Sequence, residues 1–253
     1  MKSKKVGIFI QARVGSSRLK GKVLKKINGE YIIVLMVKRL ERKFPNNVYV
    51  LTSNIKKDDR LIKILKKNKI KYFRGNEIDV LKRYYDANKK LKYQNVIRLT
   101  GDCPLIDTEI IQKTLNKHTA LNKEYTSNNV LPVYPDGLDV EILKSKTLIK
   151  LNKIVFDPFL RENVTLYIKK NLKKFNVFYF RKKHKYSNLR LTLDYKEDLI
   201  LIRYILKFFN KLKIEYTFNL LLKKKLIKDK IFEINSKYLR DEKIKNDNKN
   251  KKF

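Results

Sequence analysis

The residues best equipped for chemistry are one cation-rich loop and two carboxylates at predicted strand ends. The loop, Gln-Ala-Arg-Val-Gly-Ser-Ser-Arg-Leu-Lys-Gly-Lys at 11–22, combines small residues, backbone amides and a run of cations. Such a loop cradles phosphates, because amides point at oxygens while Arg and Lys offset their charge. Ala12, Arg13, Gly15, Ser16, Ser17 and Lys22 are its candidate contacts. It is not a P-loop: five residues separate Gly15 from Gly21, and Val23 follows Lys22 where Ser or Thr is required. An ordinary flexible basic loop would have the same composition; its place directly after a strand favours phosphate. Asp102 follows Gly101 in Leu-Thr-Gly-Asp-Cys-Pro, where a carboxylate can ligate a metal that bridges phosphates or simply close a turn. Asp194 ends Arg-Leu-Thr-Leu-Asp and stands three residues before Glu197, the spacing of a capping box with Asp at the N-cap. Metal binding and capping both remain open for it.

These residues need elements to hold them. Apolar runs at 6–10, 48–52 and 95–100 read as buried parallel strands, with a shorter one at 71–73. Helical periodicity at 31–42, 58–67 and 79–91 falls between them. That alternation predicts βαβ units, an α/β class and a mainly parallel sheet. Ligands of such sheets collect beyond the carboxyl ends of the strands. The polar clusters 11–22, 52–54 and 101–104 all fall there, which marks a nucleotide site. The second half predicts strands at 125–129, 140–142, 176–180 and 189–193, and helices at 158–172 and 198–212. Pro135-Asp136-Gly137 is turn chemistry. One domain over 1–235 is expected, with a Lys- and Asn-rich tail, 236–253, that lacks apolar periodicity and is predicted mobile.

A single cysteine, Cys103, excludes an internal disulfide framework and fits a reducing compartment. No apolar run reaches the roughly 20 residues that span a bilayer, and the basic start is followed by too few apolar residues for a signal peptide. A cytoplasmic protein without a membrane partner is expected. The net charge of +37 raises the question of nucleic acid. The lysines are spread along the chain, however, and no nucleic-acid-binding motif accompanies them. They read as a solvated surface that also attracts anionic substrates.

Five blocks in order carry a resemblance: Gln-Ala-Arg-x-Gly-Ser-Ser-Arg-Leu at 11–19, Phe-Arg-Gly-Asn-Glu-x-Asp-Val-Leu at 73–81, Leu-Thr-Gly-Asp-Cys-Pro-Leu-Ile-Asp at 99–107, Tyr-Pro-Asp-Gly-Leu-Asp-Val-Glu at 134–141, and Asn-Leu-Arg-Leu-Thr-Leu-Asp-x-x-Glu-Asp-Leu at 188–199. Together they resemble the SpsF-type spore-coat polysaccharide branch of the cytidylyltransferases, relatives of CMP-KDO and CMP-acylneuraminate synthetases. The resemblance covers about residues 6–210. It implies a nucleotide-diphospho-sugar transferase, Rossmann-like fold, CTP as substrate, pyrophosphate release, Mg²⁺ and a homodimer. It also implies metal-binding roles for Asp102 and Asp194, and triphosphate contacts for Arg13 and Lys22. Two departures stand out. Lys20 replaces a usual Pro, and Asn163 and Leu166 replace His and Pro in Arg-Glu-Asn-Val-Thr-Leu-Tyr at 161–167, so any catalytic His there is absent. His118 and His184 read as incidental surface residues.

The resulting expectation is in-line attack by a sugar hydroxyl or sugar phosphate oxygen on the α-phosphorus of CTP, for surface polysaccharide biosynthesis. Thr52, Ser53 and Gly101 are expected beside the nucleotide, and Asp136, Asp139, Glu141 and Arg161 beside the acceptor. Two rivals remain. A glycosyltransferase of the same fold usually shows an Asp-x-Asp motif, which is missing after the third strand. A non-catalytic nucleic-acid binder would bind in a salt-sensitive way without Asp102 or Asp194.

Overall fold

Side chains alternate along β1 (Lys4–Gln11): Ile8 and Ile10 enter one core cluster and Phe9 the other, all fully buried. The computed structural model describes residues 4–238. β1 pairs in parallel with β4 (Val48–Ser53) on one side and β6 (Tyr93–Thr100) on the other. Between β1 and β4 come a two-residue hairpin, β2 (Lys26–Ile27) with β3 (Glu30–Tyr31), and helix α1 (Ile32–Lys43). Helix α2 (Asp59–Lys67) leads to β5 (Tyr72–Gly75), and α3 (Val80–Leu91) returns to β6. After β6 follow α4 (Thr108–Ala120), β7 (Tyr125–Ser127), β8 (Glu141–Lys144) and α5 (Ser145–Ile154). The chain continues through α6 (Pro158–Glu162), α7 (Leu166–Lys170), β9 (Val177–Tyr179), α8 (Lys196–Lys211) and α9 (Phe218–Lys223).

The strand order is β5-β4-β1-β6-β8-β7-β9, and β8 runs against both its neighbours. The expected mainly parallel α/β sheet is what forms. One face packs Ile97, Leu99 and Ile142 against α1, α4 and α8; the other packs Leu51, Val96 and Leu143 against α3, α5 and α7. Burying each such side chain contributes roughly 1.5–3 kcal/mol. No helix among the described residues is long and apolar enough to cross a membrane.

Several local expectations change. Residues 189–193 form no strand beyond an isolated bridge between Arg190 and Asp136. Their backbone bonds go to loops: Leu191 N–H donates to Asp136 O at 2.7 Å and Leu193 N–H to Asp102 O at 2.7 Å. The single helix expected over 158–172 is broken at Val164, whose φ is +44°. His118 is buried, not superficial: its ring contacts Thr126 Oγ1 at 2.9 Å and Asn95 Oδ1 at 3.1 Å. Burial and the nearby Lys144 push its pKa down to about 4. Of the segment expected as a tail, residues 236–238 are described and 239–253 lie outside the described residues. Tyr238 stacks on Tyr195 with ring centroids 3.6 Å apart and donates to Glu197 at 2.9 Å.

Candidate active site

A cleft of about 820 Å³ opens where β1 and β6 end. The loop after β1 forms one wall, anchored by four buried apolar residues, Ala12, Val14, Leu19 and Val23. Asp58 pins it from below, accepting from Val14 N at 2.7 Å, Thr52 Oγ1 at 2.9 Å and Ser53 N at 3.1 Å. Thr52 and Ser53 are therefore fully buried supports of the loop and do not line the cleft. Within the loop Ser16 N–H is taken by Val14 O, whereas the amides of Gly15, Ser17 and Arg18 make no hydrogen bond among the described residues. Those amides and the flanking cations are what a phosphate would meet. Gly101 packs against the loop's start, since a Cβ there would come within 2.9 Å of Ala12 Cβ.

Asp102 and Asp194 converge on one cation. Lys22 Nζ donates to Asp102 Oδ2 at 2.6 Å and to Asp194 Oδ1 at 2.8 Å. Burial would raise the Asp102 carboxyl, but the Lys22 ammonium and the Thr100 hydroxyl hold it below the usual carboxylate range. Arg18 reaches Asp194 Oδ1 at 2.9 Å, and Arg190 reaches its other oxygen at 2.9 Å. Arg190 also holds Asp136 and Asp198, each at 3.0 Å. The N-cap of α8 is Tyr195, and the Asp198 carboxylate accepts from the Asp194 and Tyr195 amides at 2.7 and 2.9 Å. Asp194 as the N-cap is thus set aside: it faces the cleft. Two carboxylates that already share one cation suit a hard divalent ion held otherwise by water and phosphate. Among the described residues no third His, Cys, Asp or Glu completes an all-protein cage.

Arg13 lines the cleft and meets Glu162 at 3.4 Å. Asp136, Asp139 and Glu141 line it as well. Glu141 is buried, and Arg98, Tyr125, Thr165 and Lys169 occupy its oxygens, so it holds cations in place on the wall. Arg161 does not line the cleft; it ties Asp79 to Asn152 and Val155. The buried Cys103 thiol has its pKa pushed well up, which removes it as a nucleophile. Sequence reasoning missed Arg18, Arg190 and Asp198 although each lies inside a quoted block. Their signal was a charge of fitting sign beside an already suspected aspartate.

Residues 7–244 match the family model described as cytidylyltransferase. The chain belongs to the cytidylyltransferase family. It is a nucleotidyltransferase. Over 213 residues it is 34% identical to an uncharacterized protein of Methanocaldococcus jannaschii, covering 83% of this chain and 86% of that one. It is 32% identical over 198 residues to the spore coat polysaccharide biosynthesis protein SpsF of Bacillus subtilis, covering 75% and 81% of the two chains. Among solved structures, a cytidylyltransferase from Leptospira borgpetersenii aligns with a TM-score of 0.82 at 34% identity, covering 94% of this chain and 99% of that one. The structure of a CMP-2-keto-3-deoxy-manno-octonic acid synthetase complexed with CTP shares the fold at a TM-score of 0.59 and 17% identity, covering 81% and 99%.

Proposed function

We propose that this cytidylyltransferase transfers CMP from CTP to a small sugar acceptor, a nonulosonic acid-like sugar or a sugar phosphate, and releases pyrophosphate. The observation that carries the reading is the convergence of Lys22, Asp102 and Asp194 beneath the loop 11–22. Arg13, Lys22 and the free amides of Gly15, Ser17 and Arg18 bind the β- and γ-phosphates and make pyrophosphate a better leaving group. Asp102 and Asp194 are the residues that would hold Mg²⁺, which when bound offsets phosphate charge and lowers the pKa of a nearby hydroxyl. Arg190 keeps Asp194 oriented from behind. Asp136 and Asp139 on the opposite wall face the acceptor, whose hydroxyl or phosphate oxygen attacks the α-phosphorus in line. A role in surface polysaccharide synthesis within the cytoplasm fits the likeness to SpsF. A pyrophosphate-release screen crossing the four NTPs with nonulosonic acids, KDO and sugar phosphates tests the reading. Release with CTP and one acceptor class supports it. Transfer of sugar from a nucleotide-sugar without pyrophosphate would replace it with the glycosyltransferase.

A further inference from the structure

The last described residues of the chain lie beside the cleft. Tyr238 rests flat on Tyr195, with ring centroids 3.6 Å apart and planes 2° from parallel, and Tyr195 lines the cleft. Two ring faces so nearly eclipsed repel, because each presents the negative side of its quadrupole. Cations over both rings offset that repulsion. Arg18 and Arg190 stand 5.2 and 5.5 Å from the Tyr195 centroid, and Lys237 stands 5.1 Å from that of Tyr238. The same two arginines grip the two Asp194 oxygens, each at 2.9 Å. The stack and the Asp194 carboxylate therefore share their cations.

The Arg18 side chain is 33% exposed. An ion pair that open contributes little by itself, since holding a long side chain in one pose costs rotamer freedom. A fixed aromatic face narrows the poses of a planar guanidinium. Tyr195 is itself only half-buried, so its ring must be fixed by a neighbour. Tyr238 is anchored well enough to do so: its hydroxyl donates to Glu197 at 2.9 Å and its amide to Asn235 O at 3.1 Å. Asn235 is buried and donates to Arg190 O at 3.1 Å and Asp198 Oδ1 at 2.8 Å. One short segment thus braces both the arginine behind Asp194 and the ring beneath Arg18. We propose that Tyr238 is a positioning residue of the cleft, whose ring, through Tyr195 and Arg18, holds the Asp194 carboxylate in the pose that takes a divalent ion. This rests on Asp194 holding that ion in the proposed reaction. Mg²⁺ demands short, near-octahedral contacts, so a loosely held carboxylate binds it poorly.

Denaturant melts of the ligand-free wild type, Arg18→Ala, Tyr238→Ala and the double variant test the linkage. The double variant's midpoint should fall clearly less than the sum of the two single falls, because each residue supports the other. Additive falls overturn the proposal. Calorimetric titration with CTP, in Mg²⁺ and in EDTA, tests what the linkage does. The wild type should bind CTP tighter in Mg²⁺. Tyr238→Ala should lose about two- to tenfold of that gain, the range over which an aromatic pair can bias a pose. Tyr238→Phe, which keeps the ring and loses the bond to Glu197, should retain it. A Tyr238→Ala protein that keeps the whole gain, or that loses affinity equally in EDTA, overturns the positioning role and leaves the proposed transfer reaction standing. A wild type that gains nothing from Mg²⁺ takes the ion away from Asp194, and both readings then fall.

Discussion

The Asp194 carboxylate accepts from Arg18, Lys22 and Arg190, while the cap of α8 is built from Tyr195 and Asp198. Charge, not capping, is what Asp194 supplies. Asp194→Asn should lower kcat roughly 100-fold or more while the melting temperature changes little, because Arg190 keeps Asp136 and Asp198. Asp198→Asn should do the reverse in emphasis and lower the melting temperature clearly. An active Asp194→Asn enzyme would remove that residue from the site. Glu141 gives a pH signature. Burial would raise its pKa, but Lys169 and Arg98, with Tyr125 and Thr165, hold it at about 2, below its ordinary value of 4.5. A depressed carboxylate stabilises the fold fully above its unfolded pKa, and that stability is lost as pH falls through the folded one. Wild-type stability should therefore drop by roughly 3 kcal/mol between about pH 4.5 and 2 through this group. Denaturant melts of Glu141→Gln should lack that part of the decline; an unchanged acid profile would contradict it. At this scale Asp102 and Lys22 were legible because their types and spacing are chemical. The bonds that engage Thr52, Ser53 and Glu141 were not, because burial and partners come from distant parts of the chain.

Three segments far apart in sequence make one site because the elements stitch their backbones together. Residues 189–193 lie between the Asp102 and Asp136 loops and bond to both. Arg39, buried on α1, donates to Pro104 O at 2.6 Å and Ile106 O at 2.8 Å, fixing the loop that carries Asp102. Gly137 lets the stitch close: its φ is +99°, and a Cβ would lie 2.5 Å from the Leu191 carbonyl carbon. Gly137→Ala should separate Asp136 from Arg190, costing a few kcal/mol of stability, on the order of 1–3 for backbone strain, and most of the activity. A variant with wild-type melting and turnover would show that this contact does not organise the cleft. The strands β1, β4 and β6 were readable as apolar runs. The alternation at 189–193 was real but answered to loop carbonyls instead of a neighbouring strand. Helix α4 escaped the sequence reading because its buried face includes Thr114 and His118, which blur an apolar stripe.

The whole molecule carries a net charge of +37, and the substrate proposed for its cleft is a polyanionic nucleotide. Long-range attraction of this kind weakens as salt shortens the Debye length from about 10 Å at 0.1 M towards 3 Å at 1 M. The kcat/KM for CTP should fall several-fold between low and high salt, mainly through KM, in steady-state assays. A salt-independent value would mean the surface charge plays no part in capture. The fold class was legible from the alternation of strand and helix patterns, and the candidate cleft lies where the polar clusters at strand ends placed it. Charge alone pointed to nucleic acid as readily as to small anions, because composition does not say where lysines sit. The central claim is that the chain moves CMP and expels pyrophosphate, with Asp102 and Asp194 required. The most direct measurement follows CTP labelled separately at its α- and γ-phosphates, with a sugar acceptor, in the wild type and in Asp102→Ala. The account predicts that the α label leaves joined to the sugar and the γ label leaves as pyrophosphate, both abolished in the variant. Label released as inorganic phosphate, or transfer undiminished in Asp102→Ala, would contradict it.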